Sequence, residues 1–148
     1  MAEDRHDGDI MSIPGATDSI DAATFEQILE MDDDEEERDF SKSIVYDFFT
    51  QAENTFGKMD TSLEEKNLKT LSELGHFLKG SSATLGLTKV KDSCEKIQHY
   101  GQRKDETGTK DLASDDEALK KLAAAIKQAK TEFRDVEKVL RKFYHDDS

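Results

Sequence analysis

Cysteine is nearly absent from this chain: Cys94 is the only one in 148 residues. A single thiol excludes an intrachain disulfide and fits a reducing compartment, while zinc sites ordinarily draw several Cys or His ligands together. Long apolar runs are missing too. No stretch approaches the roughly 18 residues of a membrane span, and the opening MAEDRHDGDI lacks the basic and apolar regions of a signal peptide. A soluble, unprocessed, intracellular chain without a membrane partner is therefore expected. Basic charge is in deficit, with 21 Lys and Arg against 34 Asp and Glu and a formal net charge of -13. That field repels a phosphodiester backbone, and no Lys/Arg stripe with interleaved aromatics offsets it, which argues against nucleic acid and for basic protein surfaces. There is also no GxxxxGK[ST] loop and no protein-kinase signature set, and one domain's length leaves no room for a nucleotide-binding unit. The chain should not phosphorylate itself.

Strand alternation is lacking as well, and what is present instead is helical periodicity. Residues 1–20 hold small polar residues, Gly8, Pro14 and Gly15 without a sustained period, and read as a mobile tail before a domain over 21–148. A short helix follows Asp21, with Phe25, Ile28, Leu29 and Met31 at helical spacing. The acidic run over residues 32–37 reads as a solvated connection. Phe40, Ile44, Phe48, Ala52, Phe56 and Met59 hold one inward face of a second helix, whose end is expected near Gly57. Ser62 and Glu65 have capping-box spacing ahead of a third helix carrying Leu68, Leu71, Leu74, Leu78 and Leu85, with Gly86 as its stop. A fourth helix starts near Thr88 and places Val90, Cys94 and Ile97 on one face. Residues 103–114 read as a long exposed loop, and Ser114 with Glu117 caps a final helix through Leu122, Ile126, Phe133, Leu140 and Phe143. The expected fold is all-α: an antiparallel four-helix bundle with an additional short N-terminal helix, monomeric because its apolar stripes are used within one bundle.

One segment of the third helix violates local preference. Gly75-His76-Phe77-Leu78-Lys79-Gly80-Ser81-Ser82 crowds two glycines and two serines into a helix interior, where each glycine costs about 1 kcal/mol relative to alanine. At 100° per residue His76 points about 160° from the leucine stripe, so its imidazole should face solvent, with Lys79 and Gly80 on the same face. An exposed neutral imidazole is a nucleophile for an activated phosphoryl group, Lys79 offers protons to phosphoryl oxygens, and Gly80 leaves room for the phosphate or an approaching protein. A lone surface histidine is usually bland, and His6, His99 and His145 are read that way.

The string HFLKGSSATLGL, followed by CEKIQ, resembles the phosphorylation motif of fungal histidine-containing phosphotransfer proteins, and the similarity extends over most of residues 24–145. The resemblance implies that His76 carries the phosphoryl group with Lys79 and Gly80 in support, that Ser81 and Ser82 complete the pattern, and that Gln98 stands beside the ring on the adjacent helix. At Gln102 the yeast family member has an arginine, and the nearest arginine here is Arg103, which leaves open what supports the phosphate on that turn. An apolar docking patch for receiver domains is implied, with Phe25, Ile28, Met31, Phe40 and Phe77 as candidates and Ser81 at its edge; Phe77, about 100° from the core centre, is best placed to rim it.

The function implied is a reversible carrier in a stress-sensing relay. His76 takes the group from a phosphoaspartate in the receiver domain of a hybrid sensor histidine kinase and gives it to the receiver aspartate of a response regulator, in cytoplasm and nucleus. This chain would bind no cofactor or metal of its own, and magnesium would belong to the receiver. The main rival is a non-catalytic helical adaptor that binds receiver-like partners without phosphorylation. A metal-binding bundle would need inward His and carboxylate ligands on facing helices, which the sequence lacks.

Overall fold

The computed structural model describes residues 20–30 and 39–144. Five helices occupy them: α1 (Ala22–Leu29), α2 (Asp39–Glu64), α3 (Leu68–Thr84), α4 (Thr88–Gly101) and α5 (Asp115–Phe143). Helices α2 to α5 form an antiparallel bundle. The Asp60–Lys130 ion pair and the Tyr144 hydroxyl donating to Ser41 Oγ tie α2 and α5 head to tail, and Ser93 donating to Glu132 does the same for α4 and α5. Phe48, Phe49 and Phe56 of α2 surround the Phe133 ring with centroids 5.8–6.0 Å away, and α1 seals one end of the core by setting Phe25 edge-on against Phe143. The acidic run 32–37 and Met31 lie outside the described residues, as do residues 1–19 of the expected tail. Ile20 does not belong to that tail: it is buried and pairs with Leu87, while the Asp21 amide donates to Gly86 O.

Three helices end in the same hydrogen-bond pattern, which sequence reading finds at one of them. After α3, Leu87 N donates to Ser82 O and Gly86 N to Ala83 O, with Gly86 left-handed at φ 74°. A Cβ on Gly86 would also meet Asp21 O at 2.8 Å, so glycine is required here by both conformation and space. After α2, Lys66 takes the left-handed position (φ 58°), with Asn67 N donating to Ser62 O; after α4, Arg103 takes it (φ 61°), with Lys104 N donating to His99 O. A non-glycine residue there costs about 1–2 kcal/mol. Tertiary packing covers that cost, and the local signal is silent.

Two expectations about α2 and α3 fail accordingly. Helix α2 does not end near Gly57 but runs seven residues further, because Met59 and Ser62 are buried on its inner face and outweigh one glycine's propensity. Ser62 is therefore no N-cap. Asn67 caps α3 instead, accepting from Thr70 N. The Ser114 cap does form, accepting from Glu117 N while Glu117 Oε1 accepts from Ala113 N, and α5 has acids in its first turn and Arg141 and Lys142 in its last, both favourable for the helix dipole.

The segment 103–114 is tied down rather than open. Lys104 and Asp111 pair, Leu112 is buried with its amide bonded to Arg103 O, and the Asp105 carboxylate accepts from Thr107 Oγ1 and Thr109 N. These bonds, the Thr107 hydroxyl first, hold the Asp105 carboxyl below the usual carboxylate range. A depressed folded pKa means the carboxylate's contribution is present above the unfolded value and lost as pH falls through the lower folded one. Protection of the Thr109 and Lys110 amides, both bonded to the Asp105 carboxylate, should therefore fall selectively below about pH 4, compared with that of Thr70 at the uncharged Asn67 cap.

Cys94 lies wholly in the core, where burial and then the charge of Glu132 push its thiol up to about 12. A neutral, enclosed thiol is a packing residue. Titration with a thiol reagent should show no reaction in the folded protein and one equivalent in denaturant; rapid modification of the folded protein would refute its enclosure.

Candidate functional site

Helix α3 approaches α4 closely along one seam, and glycines permit it. A Cβ on Gly75 would lie 2.8 Å from Gln98 N and 2.9 Å from Cys94 O, and a Cβ on Gly101 would lie 2.6 Å from Ser72 N. Both would strike backbone. The seam fixes an antiparallel register in which Ser72 faces Gly101, Gly75 faces Gln98, and Lys79 faces Glu95, whose Oε2 lies 3.5 Å from Lys79 Nζ. His76, next to Gly75, is therefore level with Gln98.

His76 is exposed, on the far side of α3 from the buried Leu71, Gly75, Leu78 and Ser82. Its neighbours one turn along are Lys79, 28% exposed in its side chain and paired with Glu95, and Gly80, where a Cβ would meet nothing within 4 Å. The two glycines thus have different causes. Gly75 is demanded by the neighbouring helix, whereas Gly80 satisfies no internal contact and leaves the surface beside His76 bare. Gln98 is half-buried, and its Oε1 is buried without a hydrogen-bond partner, an uncommon state for an amide oxygen. Ser81 is half-exposed, but Ser82 points into the core and is no part of this surface.

Gln102 and Arg103 part at the α4 terminus. Arg103 donates from Nη2 to Leu112 O and pairs through Nη1 with Asp115 at 3.1 Å, so it clamps the loop to α5. Gln102 is exposed and one turn further from His76 along the seam than Gln98. Lys79, one turn from His76, shares its face. Among the described residues no group of three or more His, Cys, Asp or Glu is placed to hold a metal ion.

The docking-patch candidates separate. Phe25 and Ile28 are buried, 0% and 6% exposed, and serve the core. Met31 lies outside the described residues. Phe40, expected on the inward face of α2, is instead 51% exposed, and Phe77 is 50% exposed. Between them along α2 and α3 runs a groove of about 280 Å³ lined by Ile44, Asp47, Phe48, Gln51, Ser81, Thr84 and Leu85. Phe40 is one turn outward of Ile44, and Phe77 one turn before Ser81.

An α-helical bundle with an exposed histidine beside a bare glycine is matched in sequence by the family model of the Hpt domain, over residues 43–132. The chain belongs to the Hpt domain family. Relatives of this Hpt chain include Multistep phosphorelay regulator 1 of Schizosaccharomyces pombe, 46% identical over 87% of the chain and 43% of the relative. The Phosphorelay intermediate protein YPD1 of Candida albicans is 55% identical over 57% of the chain and 45% of the relative. The Hpt chain thus spans less than half the length of these relatives. Among solved structures, the Saccharomyces cerevisiae histidine phosphotransfer signalling protein Ypd1, crystallised with the receiver domain of its downstream response regulator Ssk1, superposes with a TM-score of 0.74 at 35% identity, covering 87% of this chain and 96% of that one. The antiparallel four-helix bundle expected from periodicity is the fold observed, and it is the Hpt fold of these neighbours.

Glu95 is the site residue that sequence reading passed over. A signal was available, since it precedes Gln98 by one turn and so shares its face of α4.

Proposed function

We propose that this Hpt chain is the phosphorylated carrier of a multistep phosphorelay, accepting a phosphoryl group on His76 from a receiver-domain aspartate and passing it to a response-regulator aspartate. The observation that carries the reading is the exposed imidazole on a rigid helix with Lys79 and the bare Gly80 one turn away. The Nε2 lone pair attacks phosphorus, the acyl O–P bond breaks, and its electron pair returns to the donor carboxylate while Nδ1 keeps its proton. No proton transfer is required, so no general base is needed. The second transfer is the reverse attack by another receiver carboxylate. Lys79 supplies charge-assisted hydrogen bonds to the phosphoryl oxygens, and the Gln98 amide, level with the ring, either orients it or donates to the phosphate.

Receiver domains are the partners this surface suits, as the Ypd1 complex with the Ssk1 receiver suggests by similarity. Phe40 and Phe77 offer apolar contact at the two ends of the α2/α3 groove, with Ser81 on its wall. A donor receiver from a hybrid sensor kinase and an acceptor on a response regulator would use the same face in turn, with magnesium held by the receiver and the carrier acting as a monomer in cytoplasm and nucleus. The test is phosphate transfer from a radiolabelled, phosphorylated receiver to this chain. A phosphoimidazole is expected, its label lost in acid and kept in base; binding without label from several receivers would instead identify an adaptor.

A further inference from the structure

The Lys79–Glu95 pair puts a carboxylate within reach of the ammonium that the phosphoryl group needs. Lys79 is one turn from His76 on α3, Glu95 is one turn from Gln98 on α4, and Gln98 is level with His76. Glu95 Oε2 lies 3.5 Å from Lys79 Nζ, and the two side chains are 28% and 50% exposed for Lys79 and Glu95. The pair is therefore weak and exchangeable rather than locked.

Resting on the carrier reading above, we propose that Glu95 sets how firmly His76 holds the phosphoryl group by competing with the phosphohistidine for Lys79. When the N–P bond forms at His76, the phosphoryl oxygens can bind the ammonium only as the carboxylate gives it up. Glu95 is then left as an unpaired negative charge beside a dianion, a like-charge arrangement that raises the free energy of the phosphorylated carrier. The unphosphorylated state has no such conflict. The competition therefore makes His76 a poorer resting place for the group and shifts the exchange toward the receiver aspartate, whichever receiver is docked. Glu95 touches no reacting atom; it is a positioning residue acting through Lys79.

The measurement is the equilibrium distribution of label between one receiver domain and the intact chain, with receiver affinity determined separately. Glu95→Gln should shift the equilibrium toward phosphohistidine by about two- to fivefold, as expected for an exposed pair, with receiver affinity unchanged. Glu95→Asp should return the distribution toward wild type, and in a Lys79→Met background the shift caused by Glu95→Gln should be smaller, because only the direct repulsion is then removed. An unchanged equilibrium overturns the proposal, as does an equal shift with and without Lys79, or a shift accounted for by receiver affinity. Failure of the carrier reading is distinguishable, because the wild-type chain would then take no label at all.

Discussion

His76→Gln is expected to abolish phosphoryl transfer while leaving the fold intact. Glutamine has no lone pair basic enough to attack phosphorus, and no other described histidine is equivalent, since His99 is held by the Glu106 carbonyl at 2.8 Å with its ring against Gly108. The substitution should cost little because His76 is exposed and is not one of the buried residues of α3; surface changes of this kind fall within about 0.5 kcal/mol. Transfer from a phosphorylated receiver and the denaturant midpoint should be measured on the same preparation. Loss of label with an unchanged midpoint is the expected pair of results. Full labelling of the variant would place the acceptor elsewhere, and loss of label through unfolding would contradict the exposure of His76.

Gly75→Ala and Gly80→Ala, two substitutions five residues apart on one helix, are expected to have opposite effects on stability. At Gly75 the new methyl would meet backbone atoms of α4 at 2.8 and 2.9 Å, and backbone cannot swing aside as a side chain can. Overpacking of that kind costs about 1–3 kcal/mol, only partly offset by the roughly 1 kcal/mol that alanine gains in helix propensity. A fall in Tm on the order of 2–6 °C should follow. At Gly80 the methyl meets nothing, so stability should hold or rise by up to about 1 kcal/mol while transfer slows, because the methyl occupies the space beside His76. Thermal unfolding followed by circular dichroism, with receiver transfer assayed in parallel, checks both. Equal destabilisation would contradict the distinction between a packing glycine and a docking glycine.

The same helix shows how far sequence reasoning reached and where it stopped. The leucine stripe placed His76 opposite the core and Lys79 and Gly80 beside it, because a 3.6-residue period converts spacing into direction without knowledge of a partner. That period could not explain Gly75, whose cause is a neighbouring helix twenty residues away in the chain. It also placed Phe40 inward, since the first residue of a stripe keeps the angular phase of the core but can lie beyond the elements that would cover it. Phe25 and Ile28 were assigned to a surface for the converse reason: a short amphipathic helix has an apolar face whether it meets a partner or, as here, the end of its own bundle.

Periodicity and composition by themselves therefore determined the all-helical class, the order and approximate extent of the helices, and the exposure of His76. Those properties depend on residues near one another in the chain or on sums over it. Tertiary structure alone decided the α3/α4 register that sets Gln98 level with His76, the pairing of Lys79 with Glu95, the diversion of Arg103 to the loop, and the left-handed helix ends at Lys66 and Arg103. Each of these is a contact or conformation whose cost or gain, about 1 kcal/mol, is smaller than the packing energy that imposes it, so no local preference reveals it.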